Sequence, residues 1–502
     1  MGIRTGKEYL ESLRDGRRIS IEGELVKDIT RDPRFSGAAH TIAELLDMQH
    51  APETQDILTF KSPDSGARVG KAFMEPRTIE DLTSRRQALK CWADATYGMM
   101  GRSPDFMNVM ITGAASAHGY FEESRAGCGT AIRKYYETCR ENDLVMTHVL
   151  VNPQVDRSRP VEKQEKDLAA KVVKETDAGI YISGARVVST LAAFSNEVLV
   201  FPSSYISPSP EAADYAFGCG IPVNTPGVTW ISRPTVLPPS RASLIDNPLA
   251  NRFDESDAVV VFDNAFVPWD RVFLYRDPAA CNAMYPRTSA GQHSATQSAV
   301  RALSKAEFML GLAISMSKSA KTDEYLHVQG MIAEMIVFVE TVKAVINASE
   351  QNAKLSNWGT MVPDTDPLWV VRLGFPKMFV RMQEIIQLLG ASSLVGVPSY
   401  KELKGEQSEL VQKYFQSANS DAEHRIKLFR LAYDASISSF AGRQQLYERY
   451  YTGDPVRLGG TLFNIYNKKP FEARIDGILK DLQTREDVWQ DGIFATESVG
   501  AN

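Results

Sequence analysis

The feature that most constrains the fold of this chain is a change of hydrophobic period that occurs twice. Up to about residue 143 the apolar residues recur at helical spacing, as in IEDLTSRRQALKCWADATYGMM. Between 144 and 276 they alternate in short runs such as LVMTHVLV and AVVVFDNAFVP, and Pro, Gly, Asn and Asp clusters separate the runs. The helical period then returns. The pattern predicts an α+β protein with a mainly helical domain (1–143), a compact β domain (144–276) and a helical bundle with a tail (277–502).

Local signals predict several elements within this frame. Thr5 and Glu8 have the spacing of a capping box, and ISIEGELVKDI has the alternation of a small hairpin. A helix that starts near Thr78 is expected to end at Gly101. One face of a long C-terminal helix is predicted from seven apolar positions: Val328, Met331, Ile332, Met335, Val339, Val342 and Ile346.

Composition and motifs exclude several functional classes. The net charge of -6 is spread along 502 residues without a basic stripe, so nucleic acid is not an expected partner. Neither an apolar signal core nor the ~20 apolar residues of a membrane span is present. Neither GxGxxG after a strand nor GxxxxGK[ST] occurs, so no Rossmann or P-loop nucleotide site is indicated. The five scattered cysteines fit neither a disulfide framework nor a zinc site, which favours the reducing cytoplasm.

The segment THVLVNPQVDRS, residues 147–158, is the most unusual strand end in the β region. It carries His148 and runs into a corner that contains Pro153, Gln154, Asp156 and Arg157. A histidine that stands alone in a strand is more often a satisfied structural residue than a functional one. The simplest interpretation of Asp156 and Arg157 is likewise a salt bridge within a turn.

Four segments together resemble one enzyme family. They are YGMMGRSPDF, THVLVNPQVDRS, ETDAGIYISGARVVST and ANRFDESDAVVVFDNAFVPWDRVFLYRD. Their order and spacing resemble the oxygenase components of the two-component 4-hydroxyphenylacetate 3-monooxygenase and chlorophenol monooxygenase family. The resemblance extends from RTGKEYLESL to GRQQLYERYYTG. It implies an acyl-CoA dehydrogenase-like fold, in which the central domain resembles a β-barrel.

The resemblance also implies a reaction. Such enzymes take reduced FAD from a separate NAD(P)H-dependent flavin reductase, react it with O2, and use the flavin hydroperoxide to hydroxylate a phenol beside its hydroxyl group. Because the distal oxygen is electrophilic, the phenolate reacts faster than the phenol, and the site needs a base and a cation. The phenol could be free, or attached to CoA or a carrier protein.

Three residues match catalytic positions of the family. His148 corresponds to the histidine at the phenolic oxygen, and a reference pKa of about 6.5 suits a base that works near neutrality. Arg102 corresponds to the arginine that neutralises the phenolate. His293, in GQHSATQ, stands where chlorophenol-type members have a histidine. It is expected to share the base role or to donate a hydrogen bond to the hydroperoxide, and the alternative is a packing role.

The resemblance assigns further residues to the flavin. Gln154 and Arg157 are expected to contact its ring, phosphate or ribose, and Thr190 to hydrogen-bond the isoalloxazine. In IIQLLGASSLVG, Gln387 and Gly390 match a helix end and glycine turn that reach the FAD of a neighbouring subunit, so a homotetramer is expected.

Other positions bear on the substrate. Tyr447, Arg449 and Tyr451 are expected near the pocket, while Phe106 replaces a tyrosine of the hydroxyphenylacetate hydroxylases. The motif RFDESDAVVVFDNAFVPWD is assigned to structure, and residues 202–215 to a loop over the pocket.

Three alternatives remain open at this point. Oxidative dehalogenation or denitration of a substituted phenol would use the same fold. A 4-hydroxybutyryl-CoA dehydratase would need cysteine ligands for an iron–sulfur cluster, and YGMMGRSPDF has none. A non-catalytic helical scaffold would leave Arg102, His148, Gln154 and Arg157 unexplained.

Overall fold

The computed structural model describes residues 2–153, 155–164, 168–202, 205–237 and 243–497. The chain forms two compact units, Met1–Tyr451 and Thr452–Asn502. Among the helices of the described ranges, none is long and apolar enough to cross a membrane.

The first part of the larger unit is mainly helical, as the sequence predicts. The Thr5–Glu8 capping box is present, and the predicted hairpin forms as β1 and β2. The helix from Thr78 ends at Ala95, before the predicted Gly101, because Tyr97 and Gly98 take left-handed φ angles of 53° and 64°. The elements are α1 (Gly6–Ser12), β1 (Ile19–Ile21), β2 (Glu24–Leu25), α2 (Ser36–Asp47), α3 (Gln55–Leu58), β3 (Thr59–Lys61), β4 (Arg68–Gly70), α4 (Ile79–Ala95), α5 (Pro104–Ser116), α6 (His118–Ser124) and α7 (Cys128–Glu141).

The middle part is built of two open sheets. Its elements are β5 (Met146–Val149), β6 (Lys171–Thr176), β7 (Gly179–Thr190), β8 (Glu197–Val200), β9 (Phe217–Pro222), β10 (Val228–Ser232), α8 (Ala250–Phe253), β11 (Asp257–Pro268) and β12 (Val272–Tyr275). One sheet has the order β2-β1-β10-β11-β7-β6 and the other the order β12-β9-β8-β5. The expected barrel-like form is therefore wrong, since the described strands do not close on themselves.

The N-terminal hairpin belongs to the larger sheet. Ile19–Ile21 pairs in parallel with Trp230–Ser232, so β1 extends the sheet beyond β10. The first 143 residues thus supply two strands to the β layer. A local period cannot reveal such a pairing, because strand register depends on the distant partner.

The third part is a helical bundle around a long central helix, α10. It packs on α4, α5, α11 and α12, which links the bundle to the first part. The predicted face of α11 is confirmed, with Val328, Met335, Val339, Val342 and Ile346 buried. The elements are α9 (Pro278–Arg287), α10 (Ala290–Ala320), α11 (Leu326–Gln351), β13 (Lys354–Leu355), β14 (Met361–Val362), α12 (Leu368–Val395), α13 (Ser408–Tyr414), α14 (Ala422–Ser436) and α15 (Ser439–Tyr450).

The smaller unit contains the helices α16 (Pro455–Ile465) and α17 (Lys469–Glu497). An apolar stripe runs along α17 at spacings of three, four and seven residues, and all of its side chains are exposed. It consists of Phe471, Ile475, Ile478, Leu482 and Trp489.

The two sheets meet where β5 lies beside β7. The Thr147 hydroxyl donates to the Thr190 carbonyl at 2.5 Å, and the Ser189 hydroxyl donates to the His148 carbonyl at 3.1 Å. Beyond β5, the Val187 amide donates to the Val151 carbonyl at 2.8 Å. His148 therefore stands at the junction of two rigid layers, where a side chain is held in a fixed direction.

Candidate active site

Arg102, just before α5, packs in the corner of two aromatic rings that contact each other edge to face. Its guanidinium carbon lies 4.0 Å from the ring centre of Phe106 and 4.0 Å from that of Tyr451. Nη2 donates to the Tyr451 carbonyl at 2.9 Å, whereas Nη1 is buried without a hydrogen-bond partner. None of the described carboxylates forms an ion pair with this side chain. A buried guanidinium without a carboxylate partner favours the binding of an anion, because a desolvated charge needs a counter-charge.

Tyr451 in turn is fixed from behind by a buried ion network. Arg301 stacks on its other face at 4.3 Å and forms two hydrogen bonds with Glu448, at 2.6 and 2.8 Å. Lys305 also contacts Glu448. Burial works against ionisation of Glu448, but the two cations lower its pKa to about 2. The stack of Phe106, Arg102, Tyr451 and Arg301 is therefore anchored by one buried carboxylate.

His148 packs against the Phe106 ring, with the two ring centres 5.7 Å apart. Its Nδ1 is 3.0 Å from the Met107 sulfur. Burial, and after it the Arg102 cation, lowers the pKa of His148 to about 3. The imidazole is thus neutral in the free protein. The expectation from the reference pKa needs this correction, since desolvation and a neighbouring cation disfavour imidazolium.

The acidic residues of RFDESD hold the site, a role that the sequence pattern did not predict. The Arg102 backbone N–H donates to Glu255 at 2.6 Å, and Arg443 donates to Glu255 at 3.0 Å and to Asp257 at 2.9 and 3.1 Å. Asp257 also accepts from the Thr190 hydroxyl at 2.7 Å. This network joins Arg102 to Thr190. The signal available in the sequence was the density of carboxylates at the start of an otherwise largely apolar strand.

Tyr447 approaches the backbone at Gly101. A Cβ atom at Gly101 would lie 2.1 Å from the Tyr447 ring, so only glycine permits this contact. The Tyr447 hydroxyl is buried and has no hydrogen-bond partner among the described residues. Phe106, Tyr447 and Tyr451 all lie around the Arg102 guanidinium, whereas Arg449 is exposed on α15. Arg443, whose guanidinium lies 4.1 Å from the Tyr447 ring, is the arginine that α15 provides.

The corner after His148 is braced by Arg186 from β7. The Arg186 guanidinium donates to the Asn152 side chain through Nη1 and, at 3.4 Å, to the Ala170 carbonyl through Nη2. Gln154 lies outside the described residues. Arg157 is exposed, and Asp156 pairs with Arg159 at 3.3 Å, so the salt bridge in this turn does not involve Arg157.

A strained and exposed valine stands beside the corner. Val188 has a φ of 59°, which is unusual for a β-branched residue, and its side chain is 60% exposed. Val155 is also 62% exposed. Val187 pairs with Val151, so Val188 lies beside the segment that follows His148. Backbone strain of this kind is characteristic of functional sites.

The other predicted flavin residues lie on α12. The Gln387 side chain donates to the Ser436 carbonyl at 2.8 Å, while Gly390 is buried. The helix breaks at Ala391, where φ is 45° and ψ is −137°. The predicted helix end is therefore present as a break within α12, one residue after Gly390.

His293 is fully buried on α10, where its Nδ1 lies 2.5 Å from Nη2 of Arg85. One turn later, Gln297 donates to Asp105 at 3.3 Å and accepts from the Tyr451 hydroxyl at 3.4 Å. His293 thus shares a helix with a residue of the site.

Residues 203 and 204 of the predicted loop over the pocket lie outside the described residues. The remainder is tied to α9, because the Ile206 amide donates to the Asn282 side chain at 2.9 Å.

These features define a class of protein. The larger unit has a helical, a β and a helical part in that order, and a neutral histidine and an arginine without a carboxylate partner among the described residues both pack against Phe106. This arrangement is the one expected of a flavin-dependent monooxygenase.

Comparison with known families identifies the family to which the chain belongs. The chain belongs to the 4-hydroxyphenylacetate 3-hydroxylase family, since the N-terminal family model matches residues 5–274 and the C-terminal model residues 281–480. The oxygenase component of 4-hydroxyphenylacetate 3-monooxygenase from Thermus thermophilus is 40% identical over 480 residues, 95% of this chain and 98% of that protein. A crystal structure of such a component, complexed with FAD and 4-hydroxyphenylacetate, matches with a TM-score of 0.91 and 40% identity over 96% of this chain and 99% of that chain. The predicted family is confirmed.

A more distant neighbour shares the fold alone. The 4-hydroxybutyryl-CoA dehydratase from N. maritimus has a TM-score of 0.84 and 21% identity, with coverage of 95% of both chains. In the present chain all five cysteines are free thiols, and none lies in the Tyr97–Phe106 segment. The dehydratase alternative is not favoured.

Proposed function

We propose that this chain is the oxygenase component of a two-component enzyme that uses reduced FAD to hydroxylate a phenol next to its hydroxyl group. One observation carries the proposal: the guanidinium of Arg102, packed on two rings and without a carboxylate partner among the described residues, beside neutral His148. The same pair suits a phenolic oxygen, which changes from a hydrogen-bond donor to an anion as it reacts.

The roles of the two residues follow from their charge. Neutral His148 accepts the hydrogen bond of the phenol and takes its proton, while Nη1 of Arg102 stabilises the phenolate that forms. The pKa of His148 near 3 describes the free protein. A phenolate beside the imidazole favours its protonation and offsets the effect of Arg102. Phe106 and the buried network behind Tyr451 keep the guanidinium in place and exclude water.

The chain also fits a flavin. The exposed apolar surfaces of Val155 and Val188 suit an isoalloxazine face, Thr190 offers a hydroxyl at its edge, and exposed Arg157 suits a phosphate. Reduced FAD supplies the activation of O2, from which one oxygen atom is transferred to the ring. Gln154 is assigned to the same surface by family resemblance alone.

We further propose a homotetramer in which Gln387 and Gly390 of one copy complete the flavin site of another. Two features support it: the break in α12 at Ala391, and the exposed apolar stripe of α17. A stripe of this length is suited to burial against a second copy, because large exposed apolar patches mark interfaces.

We also propose that a separate NAD(P)H-dependent flavin reductase supplies the reduced FAD, and that the chain works in the cytoplasm. The names of the relatives support the reductase, since they describe an oxygenase component. Five free thiols support a reducing compartment.

The test supplies the two halves of the reaction separately. The purified chain with NADH and FAD should oxidise no NADH, whereas addition of a flavin reductase should cause a phenol to gain one oxygen atom from ¹⁸O2, measured by mass spectrometry. A screen of free, CoA-linked and carrier-linked hydroxyphenyl acids then identifies the form of the substrate. Efficient NADH oxidation by the chain alone would contradict the two-component assignment.

A further inference from the structure

His293 and Arg85 form a buried pair between α10 and α4. His293 is 0% exposed and Arg85 is 2% exposed, and Nη2 of Arg85 lies 2.5 Å from Nδ1 of His293. Nη1 of Arg85 donates to the Met74 carbonyl at 3.1 Å. Among the described residues no carboxylate pairs with Arg85. The histidine is therefore the polar side-chain partner of this guanidinium.

The chemistry of arginine decides which nitrogen of His293 carries the proton. A guanidinium is charged at every ordinary pH and has donors but no acceptor. Nδ1 of His293 must therefore accept the hydrogen bond through its lone pair, and the proton of the neutral ring resides on Nε2. Protonation of Nδ1 would bring two N–H groups together. Burial and the Arg85 cation both lower the pKa of His293.

The remaining nitrogen is a buried donor without a protein acceptor. Nε2 of His293 makes no hydrogen bond in the described part of the chain. An unpaired buried N–H destabilises the folded protein, and such groups in native proteins call for an explanation. The position of His293 on α10 offers an explanation. Gln297 lies four residues later on the same face of this helix. It contacts Asp105 and Tyr451, beside Arg102.

We infer that Nε2–H of His293 donates a hydrogen bond to an oxygen atom of a ligand in the active site, and that Arg85 is the positioning residue that fixes this tautomer. Of the two roles expected for His293, the structure supports the donor and opposes the base, because the only lone pair of the ring is engaged by Arg85. The acceptor is an oxygen of the phenol or of the flavin ring. The inference rests on the proposed function for the identity of that ligand.

Selective ¹⁵N-histidine labelling tests the tautomer without any turnover. Comparison with a His293→Gln variant assigns the signals of His293 among the seven histidines. The expected spectrum has an unprotonated, imine-type Nδ1 and a protonated, pyrrole-type Nε2. Neither shift should change between about pH 5.5 and 7.5, where a free histidine titrates. A proton on Nδ1, or a ring that titrates in this range, would overturn the inference.

A matched pair of variants tests Arg85. Arg85→Lys retains donors without an acceptor and should keep the Nε2–H tautomer, whereas Arg85→Met removes the donor and should produce a mixture of tautomers. If Arg85→Met leaves the tautomer unchanged, Arg85 is not the positioning residue. If Arg85→Met does not fold, Arg85→Gln decides the question, because its amide can accept as well as donate and should also produce a mixture.

Ligand additions distinguish the two acceptors. Oxidised FAD and 4-hydroxyphenylacetate are added to the labelled protein separately and then together. A change in the Nε2 shift with the phenol alone identifies the phenol oxygen, and a change with FAD alone identifies the flavin. The donor role is overturned if neither addition, nor both together, changes the shift although binding is detected by fluorescence. If the protein shows the expected tautomer but hydroxylates no phenol when a flavin reductase is supplied, that result would instead count against the proposed function.

Discussion

At the scale of single residues, the main feature of the site is the Arg102 cation, which packs on the rings of Phe106 and Tyr451 and has no carboxylate partner among the described residues. Stacking fixes the plane of the Arg102 guanidinium without neutralising it. The charge thus remains available for a phenolate. A lysine could carry the same charge, but it lacks the planar group that packs on the rings of Phe106 and Tyr451.

We therefore expect Arg102→Lys to lower hydroxylation by about tenfold to a hundredfold, the scale of a lost transition-state stabiliser. The measurement is product formed in a single turnover with pre-reduced FAD. Arg449→Lys is the control, because Arg449 is exposed and lies away from the site. Equal rates for Arg102→Lys and the parent would show that stacking is not needed.

The lowered pKa of His148 predicts a simple pH dependence. With a pKa of about 3, the imidazole remains the neutral base as the pH falls from 7.5 to about 5. Single-turnover kcat/KM, which reports groups of the free enzyme, should show no histidine limb near 6.5. A tenfold loss per pH unit below 6.5, absent from His148→Asn, would indicate an ordinary histidine.

Phe106→Tyr tests the difference from hydroxyphenylacetate hydroxylases that the resemblance implies at this position. Arg102 and His148 both pack against the Phe106 ring, and a hydroxyl on this ring that donates to the substrate oxygen would contribute about 0.5–1.5 kcal/mol. We expect improved turnover of simple 4-hydroxyphenyl acids relative to the native substrate, measured as the ratio of kcat/KM values. An unchanged ratio would make Phe106 a packing difference.

At the scale of elements, the decisive feature is the corner that links β5 to the proposed flavin surface. The sequence predicted the strand, the histidine and the turn, since each has a local signal. It did not predict that Arg186 would brace the corner through Asn152, or that Glu255 and Asp257 would join Arg102 to Thr190. These contacts cross between strands, and their partners depend on register that periodicity does not specify.

Loosening the corner should weaken flavin binding. We expect Arg186→Met to raise the dissociation constant for FAD about tenfold, which corresponds to about 1.4 kcal/mol, because the segment that follows Asn152 loses its brace. Arg186→Lys keeps one donor and should lose less affinity. Fluorescence titration of the flavin measures both, and equal affinity of the two variants would argue against a role for the side-chain donor.

At the scale of the whole molecule, the proposed surface for assembly lies on the smaller unit. The apolar stripe of α17 is too regular for an ordinary solvated helix, which would mix polar residues into every face. Sequence alone predicted a tetramer by resemblance, but it did not identify this helix, since an amphipathic pattern does not show what covers it.

Ile478→Asp should therefore lower the mass of the particle in sedimentation velocity, because a charge in an apolar interface is not compensated. Thr484→Asp adds the same charge on the opposite face of α17 and should leave the mass unchanged. If Ile478→Asp still sediments as four chains, the stripe is not the interface.

The parallel pairing of β1 with β10 has a consequence for synthesis on the ribosome. Ile19 finds its partner Trp230 only after roughly two hundred further residues have been made. At 5–20 residues per second this takes roughly 10–40 s, during which the edge of the nascent hairpin stays unpaired. The sheet that contains β1 and β2 is therefore completed late in synthesis. An mRNA truncated before the codons of β10 would yield a nascent chain that depends on chaperones.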